Sequence, residues 1–194
     1  MARVLSILAW LPALIYATIP LYWFVVHPFA ERWRARRRPF AVILPVWGAL
    51  ILATGFISFP WTREHLYPSG WSWLAAAPFF AAGAAVFRRV GRERQFTSDQ
   101  LIGRPEVEPG REQRLVMSGI LARVRHPVYA AHLLMMSGWT VAGGTLASYL
   151  LLIWAVASGA LMIHLEDREL GRRFGEDYRA YRQRVPAILP RLRG

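Results

Sequence analysis

Two short polar clusters hold the residues of this chain that are equipped for chemistry. The first runs Leu115-Val116-Met117-Ser118-Gly119 and continues to Arg125-His126-Pro127-Val128-Tyr129; the second is Glu166-Asp167, directly after an apolar run. Histidine, tyrosine and carboxylate together offer donors, acceptors and charge, and a carboxylate suits an ammonium group by both charge and hydrogen bonding. Pro127 fits the first turn of a helix, where its missing N–H would have been unpaired anyway. Arg125 and His126 then stand at the water-exposed mouth of a helix that continues through Leu133, Leu134, Met135 and Met136. The same residues also read as interfacial anchors and as a charged helix exit, both common at the ends of membrane helices. The clusters by themselves therefore leave the function open.

The elements that must position them are apolar spans. Residues 4–26, 40–59 and 71–87 read as three membrane helices, and 128–139 and 146–165 as a helical hairpin turned by Gly143-Gly144. Pro12 and Pro20 interrupt the first span, which membrane helices tolerate when neighbours satisfy the freed carbonyls. The expectation is an all-α integral membrane protein of about five transmembrane helices. It forms one domain over 1–194, with three spans in 1–87, a loop at 88–126, and the hairpin plus tail in 127–194. The loop is broken by Gly103, Pro105, Pro109 and Gly110, so irregular structure with at most one short helix is expected there. In the tail, Leu170, Phe174, Tyr178 and Tyr181 share one helical face, which predicts a helix lying across the mouth of the bundle. The hairpin brings Glu166 towards His126 and Tyr129.

The charge is distributed to match. All 24 basic residues are Arg, the formal charge is +12, and hydrophobic residues make up 55% of the chain. Segments 31–38, 88–125 and 168–193 hold 22 of the 24 Arg, and five spans put all three on one side. The positive-inside rule makes that side cytoplasmic, with the N-terminus outside. This accounts for the basic balance without nucleic acid, for which the chain offers no aromatic-interleaved platform. The all-Arg usage favours a prokaryotic source and thus its inner or plasma membrane.

Other chemistries are poorly served. Cys is absent, which removes disulfides, thiolate metal sites and cysteine nucleophiles. His126 and His132 are six residues apart and do not share a helical face, so no metal site is expected. No phosphate loop and no dinucleotide fingerprint is present.

Taken in order, the motifs resemble the membrane methyltransferases related to isoprenylcysteine carboxyl methyltransferase, a superfamily that includes phospholipid N-methyltransferases. The resemblance rests on Leu115-Val116-x-x-Gly119, Arg125-His126-Pro127-Val128-Tyr129, Glu166-Asp167, Leu170, Phe174-Gly175-x-x-Tyr178-x-x-Tyr181 and Val185-Pro186-x-x-x-Pro190, and covers roughly 115–190. The chain departs from the pattern at Ala131, where Gly is usual, and at Asp167, where Glu is usual. The resemblance implies S-adenosyl-L-methionine as cofactor, in a cytoplasmic pocket closed by the tail helix. Leu115, Val116 and Gly119 would offer backbone contacts to the adenosine. His126, Pro127, Tyr129, Glu166 and Asp167 would complete the cofactor site, and Arg125 and Arg184 would orient a substrate carboxylate.

The implied substrate is a lipophilic small-molecule or prenylated acceptor embedded in the membrane, most like the carboxylate of an isoprenylcysteine, with a phospholipid or amine headgroup as the alternative; membrane lipids are the other expected partner. A nicotinamide-dependent membrane reductase and a non-enzymatic scaffold are the alternatives from other classes.

Overall fold

The computed structural model describes residues 2–68, 70–93 and 115–190, which are mainly helical, with no strand among them. The helices are α1 (Ala2–Val26), α2 (Ala30–Arg34), α3 (Phe40–Ser58), α4 (Ser72–Arg92), α5 (Pro127–Gly143) and α6 (Leu146–Arg184). Short 3₁₀ turns occupy His27–Phe29, Phe59–Arg63 and Gly119–Ala122. Most of the broken loop expected after α4, residues 94–114, lies outside the described residues, as do Arg191 and Arg193.

Four helical stretches are long and apolar enough to cross a membrane: Arg3–Arg34, Phe40–Arg63, Ser72–Arg92 and Leu146–Arg184. The fifth expected span, α5, has 17 residues. At 1.5 Å per residue it is about 25 Å long, short of a hydrocarbon core of about 30 Å. It begins at Pro127, as the sequence predicts, but runs through Gly143 instead of ending at Trp139.

Helix α5 is the hub of the bundle, packed most extensively on α4, then on α1 and α6. Helices α4 and α5 approach closely because glycines line the contact: a Cβ at Gly138 would lie 2.7 Å from the Phe80 ring, and one at Gly83 would lie 2.8 Å from Met135. Trp10, Leu14 and Ala17 of α1 close the other side against Met136, Ala147 and Leu151.

The bundle has two distinct ends. At one, Leu66 N–H donates to Gly144 at 2.9 Å and Leu146 N–H to Glu64 at 2.8 Å, locking the 64–67 turn onto the α5–α6 turn. At the other, His27 Nδ1 lies 3.0 Å from Glu169 Oε2, which puts the end of α1 beside the polar part of α6. The Arg-rich 31–38 segment and the arginines between 168 and 184 thus share an end, as the charge distribution predicts.

The tail differs from the expected separate helix. It continues α6 without a loop but reverses at Gly175, whose φ of 60° and ψ of −130° are non-helical. In a straight helix, Asp167 and Arg182 would stand about 22 Å apart along the axis. Here Arg182 Nε is 3.4 Å from Asp167 Oδ2. The face predicted from Leu170, Phe174, Tyr178 and Tyr181 does form a packed cluster, joined by Leu115 and Val185.

Glycine is needed at the reversal for its backbone alone, since a Cβ at Gly175 would meet nothing within 4 Å. Gly175→Ala is therefore expected to cost about 1–3 kcal/mol, purely as strain. Gly171→Ala, which would meet only Tyr178 Cδ1 at 4.0 Å, should be neutral or slightly stabilising. Thermal unfolding of both variants in detergent checks the contrast; equal midpoints would remove Gly175 as the hinge.

Candidate functional site

The polar end of the bundle is built around Asp167, which lies two residues past the apolar stretch ending at Leu165 and is only 4% exposed. One carboxylate oxygen, Oδ1, accepts from Arg125 Nη1, from the Tyr178 hydroxyl and, at 3.2 Å, from His126 Nε2. The other oxygen faces Arg182 Nε at 3.4 Å. Burial by itself would push the Asp167 carboxyl up. Hydrogen bonds from His126, Arg125 and Tyr178 outweigh that and hold it well below the usual carboxylate range.

Three parts of the chain converge there, each for a local reason. His126 caps α5, whose first residue is Pro127, so His126 and Arg125 sit just ahead of the helix. Their backbone N–H groups donate to Ala187 and Pro186, each at 2.9 Å, and Arg125 Nε donates to Val185 O at 2.9 Å. The extended end of the chain therefore clamps the start of α5. The Gly175 reversal delivers Tyr178 and Arg182, and Tyr181 donates its hydroxyl to Leu121 O at 2.6 Å, tying in the 3₁₀ turn that opens at Gly119.

Glu166 serves a different purpose. Adjacent residues on a helix point about 100° apart, so the neighbour of Asp167 faces elsewhere. Its Oε2 is 3.5 Å from His126 Nδ1, and the imidazole thus stands between two consecutive carboxylates. Glu166 Oε2 and the Tyr129 hydroxyl are both buried without a hydrogen-bond partner among the described residues.

Tyr129 opens onto a cavity of about 130 Å³ between α1, α5 and α6. Its walls are mainly apolar, among them Ile19, Leu133, Met136 and Ile163, and its polar side chains are Tyr16, Tyr129 and His132. The His132 ring sits 5.5 Å from that of Tyr16 and 5.3 Å from that of Phe87. A second, wider groove of about 410 Å³ between α4 and α5 is lined by Val86, Leu134 and Leu189.

Of the residues singled out by sequence, the structure gathers Arg125, His126, Pro127, Tyr129, Glu166 and Asp167 at one end of the bundle. Leu115 packs on the Tyr178–Tyr181–Val185 cluster, while Val116 is exposed. Gly119 has a left-handed φ of 62°. Arg184 stands apart from the cluster: it is exposed, and its Nε donates to Ala180 O at 3.2 Å. Sequence reasoning did not assign Tyr178 or Arg182 to Asp167, nor Tyr16 and His132 to the cavity. Gly175, three residues before Tyr178, was the available signal, though a glycine can also sit in a continuous helix, as Gly171 does. No metal-binding group of three or more His, Asp or Glu occurs among the described residues.

Matched against known proteins, the chain finds no family model, no curated relative and no solved structure.

Asp167→Asn should destabilise the protein by about 3–5 kcal/mol, because it leaves buried Arg125 without its counter-charge. A depressed native pKa contributes stability that is present above about pH 4, where the unfolded carboxyl ionises, and is lost as pH falls below it. The thermal midpoint in detergent should accordingly drop below about pH 4 in the parent, and less steeply in Asp167→Asn. Identical acid limbs would remove Asp167 as the organising charge.

Proposed function

We propose that this chain is an S-adenosyl-L-methionine-dependent methyltransferase acting on a lipophilic acceptor, with its site at the cytoplasmic end of a membrane bundle. The observation that carries the reading is a pair of buried oxygens without hydrogen-bond partners among the described residues, Tyr129 Oη and Glu166 Oε2, next to His126. Unpaired buried polar atoms are costly, so a pair of them marks a point where a ligand's donors complete the set. A carboxylate in such surroundings calls for a cation, and an ammonium on an amino-acid moiety is one.

In this reading His126, Tyr129 and Glu166 hold the ribose and amino-acid portions of the cofactor. The backbone at Leu115, Val116 and Gly119 borders the adenosine. Asp167 acts on the cofactor only indirectly, by fixing His126 and Arg125, and Pro127 sets where α5 begins. S-adenosyl-L-methionine, when bound, supplies an electrophilic methyl group. The chain then need offer no nucleophile; it contributes alignment and exclusion of water. The mainly apolar cavity beside Tyr129 suits the hydrocarbon part of an acceptor. The concentration of Arg at the same end of the bundle supports a cytoplasmic site, and α5 completes five spans under the shelter of its neighbours.

Within the class, an amine acceptor is favoured over a prenylcysteine carboxylate. Arg125 is engaged by Asp167 and Val185, and the cavity wall includes no arginine or lysine. A carboxylate entering that cavity would find no counter-charge, which carries a desolvation penalty. Tyr16 and His132 offer hydrogen bonds to a neutral amine instead.

Calorimetric titration of detergent-purified protein with S-adenosylhomocysteine, and with NADPH in parallel, tests the class. Binding of the first and not the second is expected; binding of NADPH alone would move the protein among the reductases. Glu166→Gln and Tyr129→Phe should each weaken S-adenosylhomocysteine by about tenfold or more, the value of a charge-assisted or buried hydrogen bond. Wild-type affinity in both would sink the site.

A further inference from the structure

We propose that the bent end of α6 carries a phosphate-binding groove that holds the headgroup of an acidic phospholipid. The groove is a separate concavity of about 460 Å³, lined by Arg168, Gly171 and Arg172 before the reversal and by Tyr178, Arg179 and Arg182 after it, with Asp167 and Gly175 at its base. The inference does not rest on the methyltransferase reading.

Charge makes the case. Asp167 is saturated by its own donors, and Arg182 also faces it. Arg179 pairs with Glu176 at 2.9 Å, and the nearby Glu169 is taken by His27 and Arg173. Arg168 and Arg172 have no carboxylate within ion-pair distance among the described residues, and both are exposed. They are four apart on one helix face, where like charges repel. An anion seated between them relieves that repulsion, and the guanidinium fork matches phosphate oxygens in pairs. The two glycines keep bulk out of the groove, and the reversal brings arginines from both arms of α6 around it.

Depth selects the source of the phosphate. Arg168 and Arg172 lie about 4.5 and 10 Å beyond Leu165 along the helix, and the headgroup layer extends about 5–8 Å past the hydrocarbon on each side. The pair therefore brackets the level of lipid phosphates, and the negative charge of an acidic lipid adds to the attraction.

The test is native mass spectrometry of the full chain in micelles supplied with phosphatidylglycerol, with phosphatidylcholine, or with inorganic phosphate alone. Retention of phosphatidylglycerol over phosphatidylcholine is expected. Arg168→Gln/Arg172→Gln should bind it about thirtyfold more weakly, from about fivefold per arginine. Arg37→Gln/Arg38→Gln, which removes equal charge from exposed positions elsewhere at the same end of the bundle, should keep wild-type retention. Equal losses in the two double variants would reduce the effect to diffuse attraction and overturn the groove, as would wild-type retention in the first. Binding of inorganic phosphate without lipid retention would overturn the lipid as occupant.

Discussion

An ionised carboxylate removed from water is the constraint on which the polar end of this molecule depends. Asp167 is costly to bury alone, and the cost is offset only if donors surround it. Those donors come from residues 125–126, 178 and 182, so satisfying one side chain fixes where α5 starts, how far α6 runs and where it turns back. The arrangement is therefore cooperative: the start of α5, the reversal and the clamp by Val185, Pro186 and Ala187 each position a donor or hold one in place.

The consecutive carboxylates divide their roles by geometry. Asp167 turns inward to the arginine and tyrosine and is consumed by structure. Glu166, about 100° round the helix, keeps a buried oxygen beside Tyr129 that has no hydrogen-bond partner among the described residues, and this is the oxygen the proposed ligand would engage. His126 connects the two, because its nitrogens face different carboxylates. The shorter side chain at the structural position is consistent with this division, since Asp holds its charge close to the helix, where residues from the 185–187 clamp and the start of α5 converge.

Much of this was legible in the sequence. Pro127 marked the start of α5, Gly143-Gly144 marked the turn, and the stripe of Leu170, Phe174, Tyr178 and Tyr181 marked a buried face. Juxtaposition of Glu166 with His126 and Tyr129 followed from a hairpin of matched helices. What was not legible is competition among equals. Nothing in Arg125 or Arg184 as residue types tells which is buried against Asp167 and which stays exposed; the fold decides that in three dimensions. The sequence places the C-terminal end of α5 too early because Gly143-Gly144 reads as a turn, whereas Gly144, with φ of 61°, alone makes the left-handed step. The continuation of α6 past Leu165 was hidden by the change from apolar to charged sequence, which looks like an end and is only a change of solvent.

That change of solvent also explains why the polar groups sit where they do. In hydrocarbon an unpaired carboxylate or hydroxyl has no remedy, while in open water a carboxylate binds a cation weakly because solvent competes. Just past the apolar stretch of α6, the bundle walls exclude water and the extended chain end covers the top. Glu166, Tyr129 and His126 occupy that boundary, with a mainly apolar cavity on one side and an arginine-rich surface on the other. An amphiphilic ligand faces the same division of its own surface, polar at one end and greasy at the other. The boundary is where both of its parts are best satisfied, which is the physical argument for proposing a lipid-directed site at the end of the bundle and not in its middle.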